Sequence, residues 1–266
     1  MKLVVIKTKV FWGYSIKYPT QTAAQDSIPI PPPTTALGAL AAAYAKYLKL
    51  PETLRAGGRI YSTAARLLLD GVVKYATSAL ITPVAVKHSD VTRNIMLIYQ
   101  RHKESRYHFA AQAMSKVYAP SVDNQLVLAY VVRDSQAELI SKIAWGITTI
   151  GCKEGLVSVG EVAIYDIPAT IARAGTTVET HFITPSELAS CERSCTEVEL
   201  CELSPESYLA GRACSRKSYL VPLSPRVRDI FGGSMQVKVK ADALLLELPL
   251  TRSIKSAILL PKEVAG

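Results

Sequence analysis

Alternating hydrophobic and polar residues open the chain and predict a strand over residues 2–11. Val4, Ile6, Thr8 and Val10 share one face of this strand, while the other face carries Leu3, Val5, Lys7, Lys9 and Phe11. Apolar residues recur at helical spacing in two later segments, which predicts two amphipathic helices. The first contains Leu37, Leu40, Ala41, Tyr44 and Leu48, and the second contains Ile140, Ile143, Ala144 and Ile147.

Each predicted helix follows residues that suit a helix start. The segment from Ile30 to Pro33 must be extended, because consecutive prolines cannot occupy a helix interior. Thr34 and Thr35 come next and offer hydroxyls for an N-cap. Ser135 and Glu138 have the spacing of a capping box before the second helix.

Three more strands complete the first part of the chain. Residues 79–82 predict a short strand that ends at Pro83, residues 126–132 a buried strand, and residues 156–165 a strand after the turn at 151–155. Residues 86–118 interrupt this order and read as an inserted arm. The order strand, helix, strand, arm, strand, helix, strand is that of a ferredoxin-like (RRM-like) βαββαβ unit, so we expect an α+β fold over residues 1–170.

Beyond the first 170 residues the helical periodicity disappears, and we expect a β-rich C-terminal region, residues 171–266, packed on the first part. Strands are predicted at 178–184, 219–223, 235–248 and 254–260. Between them lies an acidic, cysteine-bearing stretch that reads as a surface excursion. Neither a repeat nor a low-complexity linker separates the two parts.

Net charge narrows the range of partners. Of 266 residues, 31 are Lys or Arg and 22 are Asp or Glu, so the formal net charge is +9. A basic surface favours a polyanionic partner, although many basic proteins bind no nucleic acid. The first residues contain lysines and no uncharged apolar core of a signal peptide, and no stretch reaches the roughly 20 apolar residues of a membrane span. We therefore expect a cytoplasmic protein.

The arm at 86–118 holds the most informative set of side chains. Cations, histidines and aromatic rings alternate there, and only Asp90 and Glu104 oppose the positive charge. Cations pair with phosphates and rings stack on unpaired bases, so this composition favours single-stranded RNA; the alternative is a solvated loop. The candidate RNA-binding residues of the arm are Lys87, His88, Arg93, Arg101, His102, Lys103, Arg106, Tyr107, His108 and Lys116.

Two further places suit a phosphate group. Gly151 and Gly155 bracket a turn in which backbone N–H groups and Lys153 could approach an oxyanion, although an ordinary helix end explains the same residues. Thr34 and Thr35 precede free N–H groups at a helix start, where ordinary capping is the alternative.

Four of the five cysteines fall within 24 residues, at Cys191, Cys195, Cys201 and Cys214. Their spacing lacks the C-x2-C element of common zinc sites, so we assign no metal and no cofactor. Free thiols, one or two disulfides and a zinc site remain open. Disulfides become more plausible in a hyperthermophile, and the presence of only two asparagines, Asn94 and Asn124, is in keeping with such a host.

Catalytic motifs are missing from the sequence. It contains no G-x-S-x-G, H-E-x-x-H or Walker pattern. The arm histidines, with Tyr107 and Lys103, could serve a metal-independent ribonuclease, in which a base deprotonates a 2′-hydroxyl. Nothing in their spacing brings them together, so we assign no catalytic residues and predict that the chain is not an enzyme.

Two motifs carry a family resemblance. The segment from Ile30 to Leu40, some 20 residues after an opening strand that ends in Phe11-Trp12-Gly13, resembles the N-terminal signature of the Cas-five family of CRISPR-associated proteins, closest to its archaeal type I-A version. The region 151–160, with Val157-Ser158-Val159, is similar to a second recurring patch of that family. Together they cover roughly residues 1–165.

The resemblance implies a RAMP-superfamily subunit with a ferredoxin-like domain, a protruding hairpin arm and a β-rich part. Such a subunit binds the 5′ handle of the CRISPR RNA in the Cascade complex, caps the filament of backbone (Cas-seven) subunits, contacts the large or small subunit and serves antiviral defence without cutting RNA. One branch of the family cuts precursor RNA with His, Tyr and Lys, which keeps the ribonuclease alternative open.

Overall fold

The computed structural model describes residues 1–19, 26–82, 84–97, 107–152, 154–167, 170–223, 230–231, 233–241 and 243–264, with backbone only at 90–97, 107–114 and 230–231. The elements up to residue 166 are β1 (Lys2–Val10), β2 (Gly13–Tyr14), α1 (Pro33–Leu48), β3 (Thr53–Ala56), β4 (Arg59–Ser62), α2 (Thr63–Leu69), β5 (Val73–Ile81), β6 (Ala85–Leu97), β7 (Tyr107–Tyr118), β8 (Gln125–Val132), α3 (Ala137–Ala144) and β9 (Val157–Asp166).

Strands dominate the remainder, which contains β10 (Ile171–Ala172), β11 (Thr177–Thr180), β12 (Thr184–Pro185), β13 (Ala189–Arg193), β14 (Cys195–Cys201), β15 (Arg216–Pro222), β16 (Ile230–Phe231), β17 (Met235–Val239), β18 (Ala243–Pro249) and β19 (Lys255–Leu260). Short 3-10 turns lie at Asp134–Gln136, Pro205–Tyr208 and Lys262–Val264.

A four-stranded antiparallel sheet, in the order β5-β8-β1-β9, forms the centre of the protein. We call it the main sheet. Its first face packs against α1 and α3: Val4 and Ile6 of β1 share a core with Leu37 and Leu40 of α1 and with Ile140 of α3. The predicted strand at 2–11 is confirmed as β1. The two predicted apolar helix faces are confirmed except at Leu48, which is 37% exposed at the end of α1, and Ile147, which is buried but lies beyond α3.

The second face of the main sheet is covered by the C-terminal hairpin β18–β19. Leu3 and Val5 of β1 lie in a core with Leu244, Leu248 and Ile258 of that hairpin. Both faces of the sheet are therefore buried over most of its length, which explains the nearly continuous apolar sequence of β8. The other C-terminal strands form three-stranded sheets, β11-β17-β13 and β12-β15-β14.

Two predicted helix starts are wrong. Pro32 is the N-cap of α1 and no side chain caps it, because Pro33 occupies the first helical position, where a missing N–H costs nothing. Thr34 and Thr35 therefore lie inside the first turn. The Ser135–Glu138 capping box does not form either: a 3-10 turn precedes α3, whose N-cap is Gln136, again without a side-chain bond.

β5 is longer than the predicted strand at 79–82. It begins at Val73, and its middle is polar in sequence but buried in the structure. The hydroxyl of Thr77 donates to the carbonyl of Ile183 at 2.7 Å, and that of Ser78 donates to the carbonyl of Pro31. Because these bonds satisfy the hydroxyl groups, the polar residues can be buried in the core. Hydrophobicity alone therefore did not identify this part of the strand.

The acidic, cysteine-bearing stretch is not a surface excursion, so that prediction is wrong. It forms β13 and β14, and β14 pairs with β15 from Cys195↔Pro222 to Cys201↔Arg216. Glutamates on alternate, exposed positions of this strand made it look like a loop. The predicted strand at 235–248 is also two strands, β17 and β18, which belong to different sheets.

Candidate nucleic-acid interface

The segment predicted as an inserted arm is a long antiparallel hairpin. β6 and β7 pair without interruption from Val86↔Tyr118 to Leu97↔Tyr107. At about 3.3 Å per residue, this ladder is about 40 Å long. Two short strands flank it, and both pair only near its root: β2 with Val117 and Tyr118, and β16 with Ala85 and Val86. The root is thus fixed to the protein body.

Close backbone contacts hold this root. Gly13 has a φ of +147°, and a β-carbon there would lie 1.9 Å from the carbonyl oxygen of Val117. The hydroxyl of Ser15 donates to the carbonyl of Ser115 at 2.8 Å. The ammonium of Lys87 lies 2.8 Å from the Asp26 carboxylate, so this cation also ties the root to the segment before α1.

One face of the root is lined by a histidine, a lysine and a tyrosine. His88 pairs directly with Lys116, so their side chains lie on the same face of the ladder. The ring of His88 also contacts that of Tyr118, with centroids 6.1 Å apart and a tilt of 56°. A cation and two rings on one face are suited to a phosphate and its adjoining bases.

Lys116 and Tyr118 open onto a cleft of about 490 Å³, which we call the arm-root cleft. Trp12, which is 72% exposed, also lines this cleft. Its exposure is unusual for so large an apolar ring and leaves its face available for stacking. The full lining is Trp12, Gly13, Tyr14, Lys116, Tyr118, Cys152, Glu154 and Leu156.

The predicted glycine turn forms part of the same cleft. Ile150 donates its N–H to the Gly155 carbonyl at 2.8 Å, which closes the turn. Gly151 adopts a φ of +69° and packs so tightly that a β-carbon would lie 2.6 Å from the Ile16 side chain. The Cys152 sulfur accepts the Ser15 N–H at 3.3 Å. The fold thus joins two places that the sequence suggested separately.

The predicted binding residues fall into three groups. Among those with described side chains, His88 and Lys116 lie at the arm root, Lys87 is engaged by Asp26, and Thr34 and Thr35 are half-buried in α1, outside the arm-root cleft. Arg93, Tyr107 and His108 are described by backbone alone, within the ladder. Arg101, His102, Lys103, Arg106 and Lys153 lie outside the described residues.

Sequence reasoning missed three rings as candidate binding residues: Phe11, Trp12 and Tyr118. Phe11 is 53% exposed and stands beside Trp12 where β1 ends. The signal was present, because two large aromatic residues follow a strand whose apolar residues are already committed to the two cores. Tyr118 gave no comparable signal, since only the hairpin register brings it next to His88.

Tyr14 supplies structure rather than chemistry at this site. Its hydroxyl is buried and donates to the Pro29 carbonyl at 2.6 Å. Burial raises the pKa of Tyr14 well above its ordinary value of 10, so the hydroxyl stays protonated near neutral pH. It therefore cannot act there as a general base, and it fixes the loop that leads into α1.

The four clustered cysteines form two disulfides. Cys191 is bonded to Cys195, and Cys201 to Cys214, which leaves Cys152 as the free thiol. Across the described ranges, no group of three or more His, Cys, Asp or Glu side chains is arranged to hold a metal ion. In those same ranges, no helix has the length and apolar character needed to cross a bilayer.

Two relatives of known family are similar to this chain in sequence. It is 35% identical over 159 residues to CRISPR-associated protein Cas5 3 of Saccharolobus solfataricus, an alignment that covers 59% of this chain and 62% of that relative, which is less than two thirds of its length. It is 30% identical over 171 residues to the CRISPR system aCascade subunit Cas5 1 of the same organism, covering 63% of this chain and 67% of the relative. The chain belongs to the Cas5 family of CRISPR-associated proteins. No family model matches the sequence of this Cas5 protein.

A solved structure extends the likeness to the whole fold. The crystal structure of a CRISPR protein from Archaeoglobus fulgidus aligns with this Cas5 protein at a TM-score of 0.57 and 16% identity, covering 98% of this chain and 100% of the other. The shared architecture has few helices and mostly antiparallel sheets. The resemblance seen in the two N-terminal motifs is therefore confirmed at the level of the family.

Proposed function

We propose that this Cas5 protein is a non-catalytic, RNA-binding subunit of a type I-A CRISPR Cascade complex. In this role it grips the 5′ handle of the CRISPR RNA and caps the filament of backbone subunits in antiviral defence. The observation that carries the proposal is the arm-root cleft, which an exposed Trp12 and Lys116 both line at the root of a long basic hairpin. A relative carries the name aCascade subunit, which supports the assembly.

Because one face of the main sheet is covered, we expect RNA to bind at the arm instead. In RRM domains, bases stack on the open face of a four-stranded sheet. Here most of that face is buried under β18 and β19, so the hairpin and its root offer the more accessible rings and cations. The sequence of the arm adds six Lys and Arg residues against two carboxylates. Phosphate neutralisation by such cations supplies salt-dependent affinity.

We interpret the main sheet as ferredoxin-like. Its order, β5-β8-β1-β9, with α1 and α3 on one face, supports the βαββαβ assignment. We retain the division into residues 1–170 and 171–266, and the shared core of Leu3, Val5, Leu244 and Ile258 supports close packing of the two parts. The proposed partners are CRISPR RNA, the backbone (Cas-seven) subunit, and the large or small subunit, in the cytoplasm.

The proposal is tested with purified protein and labelled RNA. We expect tight, salt-sensitive binding to a CRISPR RNA that has its 5′ handle, and much weaker binding to the same RNA with a scrambled handle. The same incubation in EDTA should leave the RNA intact. Equal affinity for the two RNAs would contradict handle recognition and would favour a general basic interaction module.

A metal-independent endoribonuclease is the alternative function, kept because three histidines lie in the arm. Discrete cleavage products of repeat RNA in EDTA, lost on changing His88, His102 or His108, would favour it. Two described features do not favour a ribonuclease. The ring of His88 is packed against Tyr118, and the buried Tyr14 hydroxyl stays protonated. We therefore assign the protein a binding role.

A further inference from the structure

The C-terminal hairpin leaves one end of the second face uncovered. Along β1, this face begins with Leu3 and Val5, which lie under β18 and β19. It continues with Lys7 and Lys9, and Phe11 follows the end of the strand. The side chains thus change from apolar to cationic and then to aromatic where the cover stops.

A second, larger cleft of about 850 Å³ lies over this uncovered end. We call it the sheet-end cleft. The register of the main sheet places Ile81 of β5 opposite Gln125 of β8, and Lys7 of β1 opposite Val127, so neighbouring strands form its floor. The turn between β18 and β19, at residues 250–254, forms the facing wall. Its volume falls within the roughly 300–1,000 Å³ of common ligand sites.

The charges around this cleft suit a phosphodiester chain. Lys7 lies 3.1 Å from Glu161, so these two residues largely neutralise each other. Lys9 and Arg252 are exposed, and no ion pair to either occurs among the described residues. Asp123, also exposed, is the remaining carboxylate of the lining. These two cations come from separate elements, one from β1 and one from the β18–β19 turn.

A buried polar atom points to a ligand with hydrogen-bond donors. Gln125 lines this cleft, and its side-chain oxygen, which is shielded from solvent, has no hydrogen-bond partner within the described part of the chain. A buried acceptor without a donor costs about 1–3 kcal/mol. Rotation of the Gln125 side chain into the cleft would bring this oxygen to the exocyclic amine of a nucleobase, whereas phosphate alone would not satisfy it, because phosphate oxygens only accept.

A run of hydrogen bonds connects the two clefts. Asn124 accepts the N–H of Val10 at 2.9 Å and donates to the carbonyl of Ala119 at 2.6 Å. Ala119 in turn donates its N–H to the carbonyl of Trp12 at 3.4 Å. Asn124 lines the sheet-end cleft and Trp12 lines the arm-root cleft, so this short run of hydrogen bonds links the linings of the two clefts.

We propose that the sheet-end cleft is a second single-stranded RNA site, which binds the nucleotides that continue from the handle held at the arm root. Lys9 and Arg252 contact backbone phosphates, and Gln125 accepts a hydrogen bond from a base. This proposal rests on the proposed function, since it extends the same RNA. It assigns a binding role to the part of the main sheet that the C-terminal hairpin does not cover.

The test compares a short RNA that contains the handle alone with the same RNA extended by ten nucleotides. The double variant K9E/R252E should bind the extended RNA at least about tenfold more weakly, and its salt dependence should fall by roughly 0.7 per lost phosphate contact. Its affinity for the short RNA should stay within about twofold, because long-range effects of surface charge are screened at physiological salt. Q125A should weaken the extended RNA alone.

The matched control is K238E/K255E, which makes the same change of net charge at two exposed strand positions outside both clefts. It should bind both RNAs like the wild type. Wild-type affinity of K9E/R252E for the extended RNA would overturn the second site and leave the cleft to a protein partner. Equal weakening on both RNAs would also overturn it, as a general charge effect. Failure of the wild type to bind either RNA would instead contradict the proposed function.

Discussion

Gly13 and Val117 approach each other so closely that a β-carbon on Gly13 would lie 1.9 Å from the Val117 carbonyl oxygen. The φ of Gly13, +147°, is also one that L side chains rarely adopt. β2 pairs with the arm through this residue and Tyr14. The contact therefore fixes where the arm leaves the body, in the cleft that Trp12 and Lys116 both line.

The variant G13A should destabilise the protein and weaken RNA binding together. Both the steric contact and the backbone conformation oppose the new methyl group, and we expect a loss of about 1–3 kcal/mol in the free energy of unfolding. Chemical denaturation measures this loss.

The control is G38A, at a position inside α1 where a β-carbon would meet nothing within 4 Å. It should be neutral or stabilising by up to about 1 kcal/mol. Unchanged RNA affinity in folded G13A would contradict a role for this contact in placing the arm.

Trp12 is expected to carry stacking energy at the arm root. Because its side chain is 72% exposed, W12A should change the stability of the free protein little. It should weaken handle-RNA binding about tenfold or more, since base stacking on an aromatic ring contributes about 1–3 kcal/mol. W12F should retain most of the affinity.

Trp145 offers a matched control outside both clefts. It is 56% exposed at the end of α3. W145A should bind handle RNA like the wild type. If W12A and W145A behave alike in a titration followed by fluorescence anisotropy, Trp12 is not a stacking residue.

The sequence predicted β1 and β8 of the main sheet well, because most of their residues are apolar and buried. Val4 and Ile6 face one core, Leu3 and Val5 face the other, and the helix face of Ile140 and Ile143 is recovered from its period. Helix starts were predicted poorly, because Pro33 replaces side-chain capping at α1 and a 3-10 turn replaces it at α3. Helices also begin without a side-chain cap, and a search for hydroxyl and carboxylate capping motifs misses those starts.

The candidate site was harder to predict, since it depends on contacts distant in sequence. The sequence indicated the basic arm and the glycine turn, but only the fold places Cys152 beside Ser15 and Tyr118 beside His88. Trp12 was visible as part of a motif and not as a binding residue. The sheet-end cleft had no sequence signal, because its cations, Lys9 and Arg252, are 243 residues apart in the chain.

The two disulfides should stabilise the C-terminal sheets unequally. Cys201 and Cys214 are 13 residues apart, and Cys191 and Cys195 are 4 apart. The loop-closure relation gives about 3 kcal/mol for the longer loop and about 2 kcal/mol for the shorter one. Replacing each pair by serines and measuring denaturant unfolding under non-reducing conditions tests this order.

Reducing agent provides the control for the disulfide prediction. It should lower the unfolding midpoint of the wild type and leave the variant that lacks all four of these cysteines unchanged. An equal midpoint for the wild type with and without reductant would show that the two bonds contribute nothing to stability.

Acidification should destabilise the protein partly through His181. This side chain is buried, and desolvation lowers its pKa below the ordinary value of 6.5, with a smaller opposing effect from Glu179. Below pH 6.5 the unfolded chain therefore binds a proton that the folded protein does not, so stability falls as the pH falls. The slope for one proton is at most about 1.4 kcal/mol per pH unit, and it disappears below the folded pKa. Urea unfolding between pH 8 and pH 5 should show a steeper loss of unfolding free energy for the wild type than for H181Q, which keeps a neutral polar group beside Ser256.

Parallel curves of stability against pH for the two proteins would mean that His181 titrates alike in the folded and unfolded states.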